Sequence, residues 1–457
     1  MEDPASFRDP SGLVFKRDGI VYRQINRVFA DDWAHLQDSG LLRELTSAGL
    51  LIPHEEAPNT APLDDRGGWV IKPLQLDFVS YPYEWAFSQL KDAALTTLEI
   101  QERALRAGMT LKDASAYNIQ FVEGRPILID TLSFRAAVPG DPWAAYHQFC
   151  RHFLAPLALM SYRDVRCGLL LQPLGDGIPL DLAASLLPGR TRIRPGLGAH
   201  LHLHARAQKK SGQGPSNRGS RPRVSDLGRR ALLDSLRRTV ESLKWKPGET
   251  RWSEYSALTS YSEPAAGSKA TLVGQMLGRT QGRRIWDLGA NTGTYSRIAA
   301  ATGRRVIAID SDASAIERLY LKVRAGEIRD VLPLVIDLNN PSSAGGWGLK
   351  ERRSLTDRGP APTMMALALI HHLAIGSNIP LGHVSAFLAS IGSELVIEFV
   401  PKNDPQTQSL LESRRDIFPD YTLEGFKAAF GTNFQLLEEA GVEDSHRTLF
   451  RMRRLGA

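Results

Sequence analysis

The C-terminal half of the chain alternates short apolar runs with longer amphipathic stretches. Five runs follow one another, RRIWDLGA, RRVIAID, VLPLVID, MMALALI and ELVIEFV, with the spacing of βαβ units. Two later runs, FQLLEE and RTLFRMRR, predict an antiparallel hairpin. From about Arg251 onward the pattern therefore predicts an α/β, Rossmann-like sheet closed by that hairpin. Ligands of such sheets bind outside the carboxyl ends of the strands.

The N-terminal half has a different pattern. Hydrophobic and polar residues alternate on both sides of Asp18-Gly19, which predicts a hairpin. A helical pattern follows over residues 31–48, then an extended element from Trp69, and then a long helix over residues 83–107 that ends at Gly108. These elements predict an α+β domain over residues 1–188.

The composition changes near Gly189. Between Arg190 and Arg230 there are nine Arg and two Lys against one acid, whereas the whole chain carries only +6. The stretch KKSGQGPSNRGSRPR has almost no apolar content and cannot offset its ordering entropy by burial. We predict a basic, partly flexible linker over residues 189–228 and a second domain with a helical lead-in over residues 229–457. Because the linker lacks interleaved aromatics, we expect a solvated tether and no nucleic-acid partner.

The remaining bulk features favour a cytoplasmic protein. The two cysteines, Cys150 and Cys167, have no metal-ligand spacing around them, so we predict neither a disulfide scaffold nor a metal site. The N-terminus lacks the basic start and apolar core of a signal peptide. No apolar run reaches the ~20 residues that span a bilayer, and we expect no membrane partner.

The most informative motif is Asp287-Leu288-Gly289-Ala290-Asn291-Thr292-Gly293, which directly follows the first apolar run. Gly289 and Gly293 permit a tight turn and close approach of a ligand, and Asn291 tolerates left-handed backbone. The spacing differs from the dinucleotide pattern G-x-G-x-x-G. It resembles instead the first motif of class I S-adenosylmethionine-dependent methyltransferases.

The resemblance implies a binding site for S-adenosylmethionine. In that family the loop wraps the methionine part of the donor, and the leading acid, here Asp287, helps to hold its ammonium group. Asp310 ends the second run, where its carboxylate could accept both ribose hydroxyls, and Asp337 with Leu338 could face the adenine. The predicted donor-binding residues are Asp287, Gly289, Ala290, Asn291, Thr292, Gly293, Asp310, Asp337, Leu338 and Ile370.

The fourth run ends in Ile370-His371-His372, which resembles the methyltransferase motif that lines the methyl-transfer pocket. Positioning the acceptor in line with an activated methyl group supplies much of the rate enhancement. A hydroxyl or amine acceptor must also lose a proton, and His371, His372 or Glu398 could serve as base. The alternative for each is a structural role. Trp252, Tyr255 and Tyr261 could cover the donor as a lid or pack against the sheet.

Two further resemblances cover more of the chain. The run IEFVPKNDPQTQSLLESRRDIFPDYT resembles methyltransferases of the NoeA-type nodulation-protein family. In LKDASAYNIQFVEGRPILIDTLSF, the order Asp113, Asn118, Asp130 resembles the catalytic and metal-binding loops of kinase-like phosphotransferases. Arg23 stands where that family carries a lysine, and no Gly-rich phosphate loop precedes it.

Three functions stay open at this point. The first is a methyltransferase acting on an unidentified small molecule, sugar or peptide. The second is a kinase–methyltransferase fusion, and the third is a non-catalytic regulator that binds the donor.

Overall fold

A computed structural model describes residues 2–206, 223–248, 262–412 and 415–456. The chain divides into two compact units. The N-terminal unit extends to Lys246 and also includes Gly345–Arg352, while Pro247–Ala344 and the chain from Arg353 onward form the C-terminal unit. The predicted lid residues Trp252, Tyr255 and Tyr261 lie outside the described residues, as does the 207–222 part of the predicted linker.

The N-terminal unit is built on small antiparallel sheets. Its strands are β1 (Gly12–Arg17), β2 (Ile20–Asn26), β3 (His54–Glu56), β4 (Gly67–Pro73), β5 (Met109–Leu111), β6 (Ile119–Val122), β7 (Arg125–Leu128) and β8 (Phe134–Ala136). The first four form one sheet in the order β1-β2-β4-β3, and β5 pairs with β8 and β6 with β7. The predicted hairpin is present: β1 and β2 pair antiparallel around Asp18 and Gly19, which both have positive φ.

Helices pack beside these sheets. They are α1 (Ala30–Asp38), α2 (Leu41–Ser47), α3 (Phe87–Arg106), α4 (Tyr146–Phe149), α5 (Ala155–Tyr162), α6 (Leu180–Leu186), α7 (Pro195–Leu197) and α8 (Asp226–Ser242), with π-helical turns at Cys150–Leu154 and Gly198–Leu203. The predicted helix over residues 31–48 is two helices, because Gly40 adopts a left-handed conformation between them. The predicted long helix is α3.

The structure places the domain boundary later than the sequence predicts. Helix α8, predicted as a lead-in to the C-terminal domain, groups with the N-terminal unit and packs on α3. The reason is its apolar stripe, in which Leu233, Leu236 and Val240 are buried. Residues 189–206, predicted as the start of the linker, are helical, with His200 and Leu201 buried.

The C-terminal unit alternates helices and strands. Its elements are α9 (Glu263–Gly278), β9 (Arg284–Leu288), α10 (Thr294–Ala300), β10 (Arg305–Asp310), α11 (Ala313–Arg324), β11 (Val331–Val335), β12 (Ala361–Ala366), α12 (Leu381–Ile391), β13 (Gly392–Phe399), α13 (Pro405–Leu411), α14 (Leu423–Gly431), β14 (Phe434–Gly441) and β15 (Thr448–Arg454). A π-helical turn covers His372–Gly376.

The strands of this unit form one seven-stranded sheet in the order β11-β10-β9-β12-β13-β15-β14. The first five pair in parallel, and β15 pairs antiparallel with both β13 and β14. This confirms the predicted α/β sheet with its terminal hairpin. The central strands read as continuous apolar runs because helices cover both faces. The order reverses between β9 and β12, and such a switch point opens a crevice at the carboxyl ends of the strands.

Among the described residues, no helix combines the length and hydropathy that crossing a membrane requires.

Candidate functional site

A pocket with a volume of about 370 Å³ opens at the carboxyl ends of the parallel strands in the C-terminal unit. Its walls come from the loops after β9, β10, β11 and β12 and from α13. The lining residues are Gly289, Asn291, Ile309, Asp310, Ser311, Ile336, Asp337, Leu338, Asn339, Leu367, Ala368, Leu369, His372, Leu373, Gly376, Ser377 and Leu410. This size and mixture of apolar walls with a few polar groups are typical of small-molecule sites.

The loop after β9 has the backbone that the motif predicts. Gly289 and Gly293 have φ of 83° and 85°, and Asn291 has φ of 49°. The left-handed turn brings the backbone of Gly289 and Asn291 to the pocket. Gly293 then begins α10 at its N-cap position. Left-handed backbone at these three alternate positions explains why the loop needs Gly and Asn there.

Asp310 is the central polar group of the pocket. One carboxylate oxygen accepts the backbone N–H of Asp312 at 2.9 Å, and the other accepts that of Asn291 at 2.8 Å. Burial raises the pKa of Asp310 to about 6, and these hydrogen bonds oppose the increase. An ionised carboxylate has about four lone-pair positions, so Asp310 keeps acceptor capacity for ligand hydroxyls.

Asp287 lies away from the pocket. Its side chain is 2% exposed and accepts a hydrogen bond from Oγ of Ser296 at 2.5 Å. Burial raises its pKa to about 7. The resemblance implied a direct role for Asp287 in binding the ammonium group, but the structure places this carboxylate outside the lining, where it fixes the start of α10.

The other predicted donor residues divide in the same way. Gly289, Asn291, Asp310, Asp337 and Leu338 line the pocket, whereas Ala290, Thr292, Gly293 and Ile370 do not. Ala290 donates its N–H to the carbonyl of Ile309, which ties the loop to β10. Ile370 is 1% exposed and belongs to the core.

The two histidines after β12 occupy different environments. His372 lines the pocket, whereas His371 is fully buried, and neither of its ring nitrogens has a hydrogen-bond partner among the residues that the structure describes. Burial, then the neighbouring His372 and the cations Arg447 and Lys269, lower the pKa of His371 well below its usual value. Of these two histidines, His372 borders the pocket and His371 does not.

Glu398, the third predicted base, is fully buried at the end of β13. It accepts hydrogen bonds from Nζ of Lys269 and from the backbone N–H of Ala368, both at 2.7 Å. It lies outside the pocket lining, so the structure does not place it where a base would meet an acceptor.

The lining contains residues that sequence reasoning missed. They are Ile309, Ser311, Ile336, Asn339, Leu367, Ala368, Leu369, Leu373, Gly376, Ser377 and Leu410. Ser311 and Asn339 follow the acids at strand ends by one or two positions, a signal the sequence carried. Leu410 comes from α13, which lies within the run that resembles the NoeA-type family, but that resemblance assigned it no role in the pocket.

In the N-terminal unit, the predicted acid–amide set is linked by hydrogen bonds. Oγ of Ser133 donates to Asp130 at 2.5 Å, and the side-chain amide of Asn118 donates to Ser133 at 3.3 Å. Arg23 forms an ion pair with Asp130. Burial is the largest influence on the pKa of Asp130 and raises it, but the charge of Arg23 and the hydrogen bonds from Ser133, Arg23 and Leu132 together lower the pKa below its usual value. For Asp113, burial raises the pKa and the negative charge of Asp130 adds to the effect.

Comparison with known proteins identifies relatives of the chain. No protein-family model matches. Two solved structures similar to part of the chain are the magnesium protoporphyrin IX methyltransferase ChlM from Synechocystis PCC 6803 with bound SAM and the N-methyltransferase NodS from Bradyrhizobium japonicum WM9. ChlM is 15% identical with a TM-score of 0.30 and covers 45% of this chain and 86% of its own. NodS is 12% identical with a TM-score of 0.31 and covers 42% of this chain and 97% of its own.

A curated relative covers nearly the whole length. The nodulation protein NoeA of Rhizobium meliloti (strain 1021) is 34% identical over 466 residues, which is 98% of this chain and 95% of NoeA. The chain therefore belongs to the NoeA family of nodulation proteins.

Proposed function

We propose that the C-terminal unit binds S-adenosylmethionine and transfers its methyl group to an acceptor. The observation that carries the proposal is the convergence of Gly289, Asn291, Asp310 and His372 on one pocket at the switch point of the sheet. The resemblance of the loop after β9 to the first methyltransferase motif, and the similarity to ChlM and NodS, agree with it.

The residues present fit this donor. Asp310 offers carboxylate lone pairs to two neighbouring hydroxyls, and Gly289 leaves its backbone accessible because it carries no side chain. Asp337 and Leu338 provide a polar and an apolar group at the far side of the pocket. When bound, the donor supplies a methyl group already activated on a positively charged sulfur.

The chain itself supplies positioning and a proton acceptor. Leu367, Ala368 and Leu369 form an apolar wall beside His372. Such a wall excludes water and holds the acceptor in one orientation. His372 is the predicted base that borders the pocket, and it would take the proton of a hydroxyl or amine acceptor. The acceptor belongs to the small molecules, sugars or peptides.

Calorimetry with S-adenosylmethionine tests the proposal. We expect micromolar binding to the wild type and none to Asp310→Ala. The matched control is Asp312→Asn, which keeps the cap of α11 and changes an acid two positions away outside the lining. Binding without transfer of labelled methyl to any acceptor pool would favour the donor-binding regulator. Absence of binding in the folded wild type would contradict both functions.

Phosphotransfer in the N-terminal unit is the second candidate. The hydrogen-bonded set of Asn118, Ser133 and Asp130 favours it, whereas the ion pair of Arg23 with Asp130 already satisfies the carboxylate that magnesium would need. The kinase-like assignment stays a prediction. It requires magnesium-dependent ATP binding that Asp130→Ala abolishes, and ATP binding that ignores both magnesium and the substitution would contradict it.

We also propose a cytoplasmic location, which the two free cysteines, Cys150 and Cys167, support.

A further inference from the structure

Four charged side chains of the C-terminal unit are buried and are linked by successive ion pairs. They are Lys269 of α9, Glu398 of β13, Arg447 just before β15 and Asp404 just before α13. The exposed fraction of each lies between 0% and 6%, whether it is taken for the residue or for its side chain. Lys269 pairs with Glu398 at 2.7 Å, Glu398 with Arg447 at 3.7 Å, and Arg447 with Asp404 at 2.7 Å. We name this set the buried charge chain. Its formal charges alternate and sum to zero.

One branch of the buried charge chain reaches the apolar wall of the pocket. The oxygen of Glu398 that accepts Lys269 also accepts the backbone N–H of Ala368 at 2.7 Å. Ala368 lines the pocket and has φ of 48°, a left-handed conformation that is unfavourable for a residue with a side chain. The bond to Glu398 holds this unfavourable turn in place.

The other branch reaches α13, which also contributes to the pocket lining. Asp404 accepts two hydrogen bonds from Arg447 and also accepts the backbone N–H of Gln406, which caps the start of α13. Helix α13 packs on the turn His372–Gly376 and carries Leu410 into the lining. A charge–charge interaction in the core therefore fixes the orientation of a short wall helix.

We propose that the buried charge chain is a positioning device that sets the two walls of the pocket around His372. Glu398 positions Ala368, and Asp404 positions α13. This inference rests on the proposed methyl-transfer function, because it concerns the same pocket.

The energetics of burial agree with such a role. Removing charges from water is costly, and replacing a buried ion pair by apolar side chains is often neutral or stabilising. Stability alone therefore does not explain why four charged side chains lie in this core. The need to hold Ala368 and α13 in a fixed geometry does explain it, since charge-assisted hydrogen bonds are directional.

A pair of matched variants tests the first branch. Two double variants are compared, Lys269→Met/Glu398→Gln and Lys269→Met/Glu398→Met. Both remove the ion pair between Lys269 and Glu398, but only the Gln variant keeps an oxygen that can accept the N–H of Ala368. We expect the Gln variant to bind S-adenosylmethionine with an affinity within about threefold of wild type. The Met variant should bind at least about tenfold more weakly, which is the size of effect that the loss of one such hydrogen bond produces. Leu replaces Met at 398 if the Met variant does not fold.

Hydrogen exchange provides a readout that needs no donor. The peptide containing Ala368 should stay protected in the wild type and the Gln variant and exchange faster in the Met variant, at matched melting temperatures. Equal exchange and equal donor affinity in the two variants would overturn the inference and leave the proposed function intact. A folded wild type that binds no S-adenosylmethionine would overturn both.

The second branch has its own pair. Asp404→Asn keeps an acceptor for Gln406, whereas Asp404→Ala does not. We expect faster exchange in residues 405–411 and weaker donor binding for the Ala variant than for the Asn variant. Identical behaviour of the two would overturn the role assigned to Asp404.

Discussion

At the scale of single residues, the chemistry of the pocket follows from where each carboxylate lies. Asp310 and Asp287 both end or nearly end a strand, and burial raises the pKa of both. Only Asp310 faces the pocket, with backbone N–H groups that orient its two oxygens. Its protonation state should therefore control binding of a ligand with adjacent hydroxyls.

Donor binding should weaken in mild acid. With a pKa of about 6 in the unliganded protein, the Asp310 carboxylate is ionised at pH 7 and mostly protonated at pH 5. Since the ionised form is the better acceptor of two hydroxyls, affinity should fall about tenfold between these pH values. Calorimetry at pH 5, 6 and 7 measures the effect. Asp310→Asn, which does not titrate, should bind weakly with a flat profile, and a wild-type profile that is equally flat would contradict the assignment.

His371 should be replaceable, in contrast to its neighbour. Both of its ring nitrogens are buried without a partner in the described part of the chain, and such groups cost about 1–3 kcal/mol each. We expect His371→Leu to raise the free energy of unfolding by about 1 kcal/mol and to leave donor binding unchanged, as urea denaturation and calorimetry would show. His372→Leu is the control in the pocket lining, where no such gain is expected. A large loss of stability in His371→Leu would contradict the assignment of the ring as an unsatisfied buried group.

The sequence predicted the loop motif after β9 and the acids at the ends of the strands. It did not predict which side chains of each loop line the pocket. Asp287 and Gly289 are two positions apart, yet the left-handed backbone at Gly289 places one beneath α10 and the other in the lining. His371 and His372 separate in the same way because they begin a helical turn. Side-chain direction in such loops depends on tertiary contacts that one sequence does not show.

At the scale of secondary-structure elements, the parallel strands were predictable because burial on both faces leaves a continuous apolar run. The hairpin at Asp18-Gly19 was predictable because its turn requires residues that adopt positive φ. For helix α8, the hydrophobic periodicity of the sequence does not determine the packing partner. Its stripe of Leu233, Leu236 and Val240 indicated a buried face, but not that α3 would be its partner.

The packing of α7 against α8 should depend on one glycine. A methyl group on Gly196 would overlap with the side chain of Thr239, which is itself buried. We expect Gly196→Ala to lower the free energy of unfolding by about 1–3 kcal/mol. The matched control is Gly267→Ala in α9, where an added methyl group meets nothing within 4 Å among the described residues. There the better helix propensity of Ala should raise stability by about 0.5–1 kcal/mol. Equal effects of both substitutions on urea denaturation would contradict the packing argument.

At the scale of the whole molecule, the sequence predicted two units and one basic segment, but placed the boundary too early. The structure assigns the chain up to Lys246 and the segment Gly345–Arg352 to the N-terminal unit. Within that unit, Glu351 pairs with Arg8, and the guanidinium of Arg352 lies 5.2 Å from the ring centre of Tyr117. A segment that folds with residues more than two hundred positions earlier has no local signature, so its assignment required the structure.

The N-terminal unit should lose stability in mild acid. His152 is 3% exposed, and burial lowers its pKa from 6.5 to about 4. Between these values the unfolded chain binds more protons than the folded one, so stability falls as the pH drops through that window. From pH 7 to pH 5 the loss from His152 should be about 2 kcal/mol. Burial lowers the pKa of His147, His200 and His204 as well, which acts in the same direction, whereas the raised pKa of Asp113 opposes it.

Urea denaturation at pH 7, 6 and 5 measures the effect, with hydrogen exchange in peptides of the N-terminal unit as the readout. The readout is confined to this unit because Asp287 and Asp310, in the C-terminal unit, stabilise the folded state as the pH falls. Their raised pKa values mean that the folded state there binds the extra protons as the pH falls from 7 toward 4. His152→Phe keeps a buried ring that does not titrate, so it should reduce the pH dependence of the N-terminal unit by about the 2 kcal/mol assigned to His152. If the variant and the wild type lose stability equally between pH 7 and pH 5, the buried histidine is not the group that senses acid.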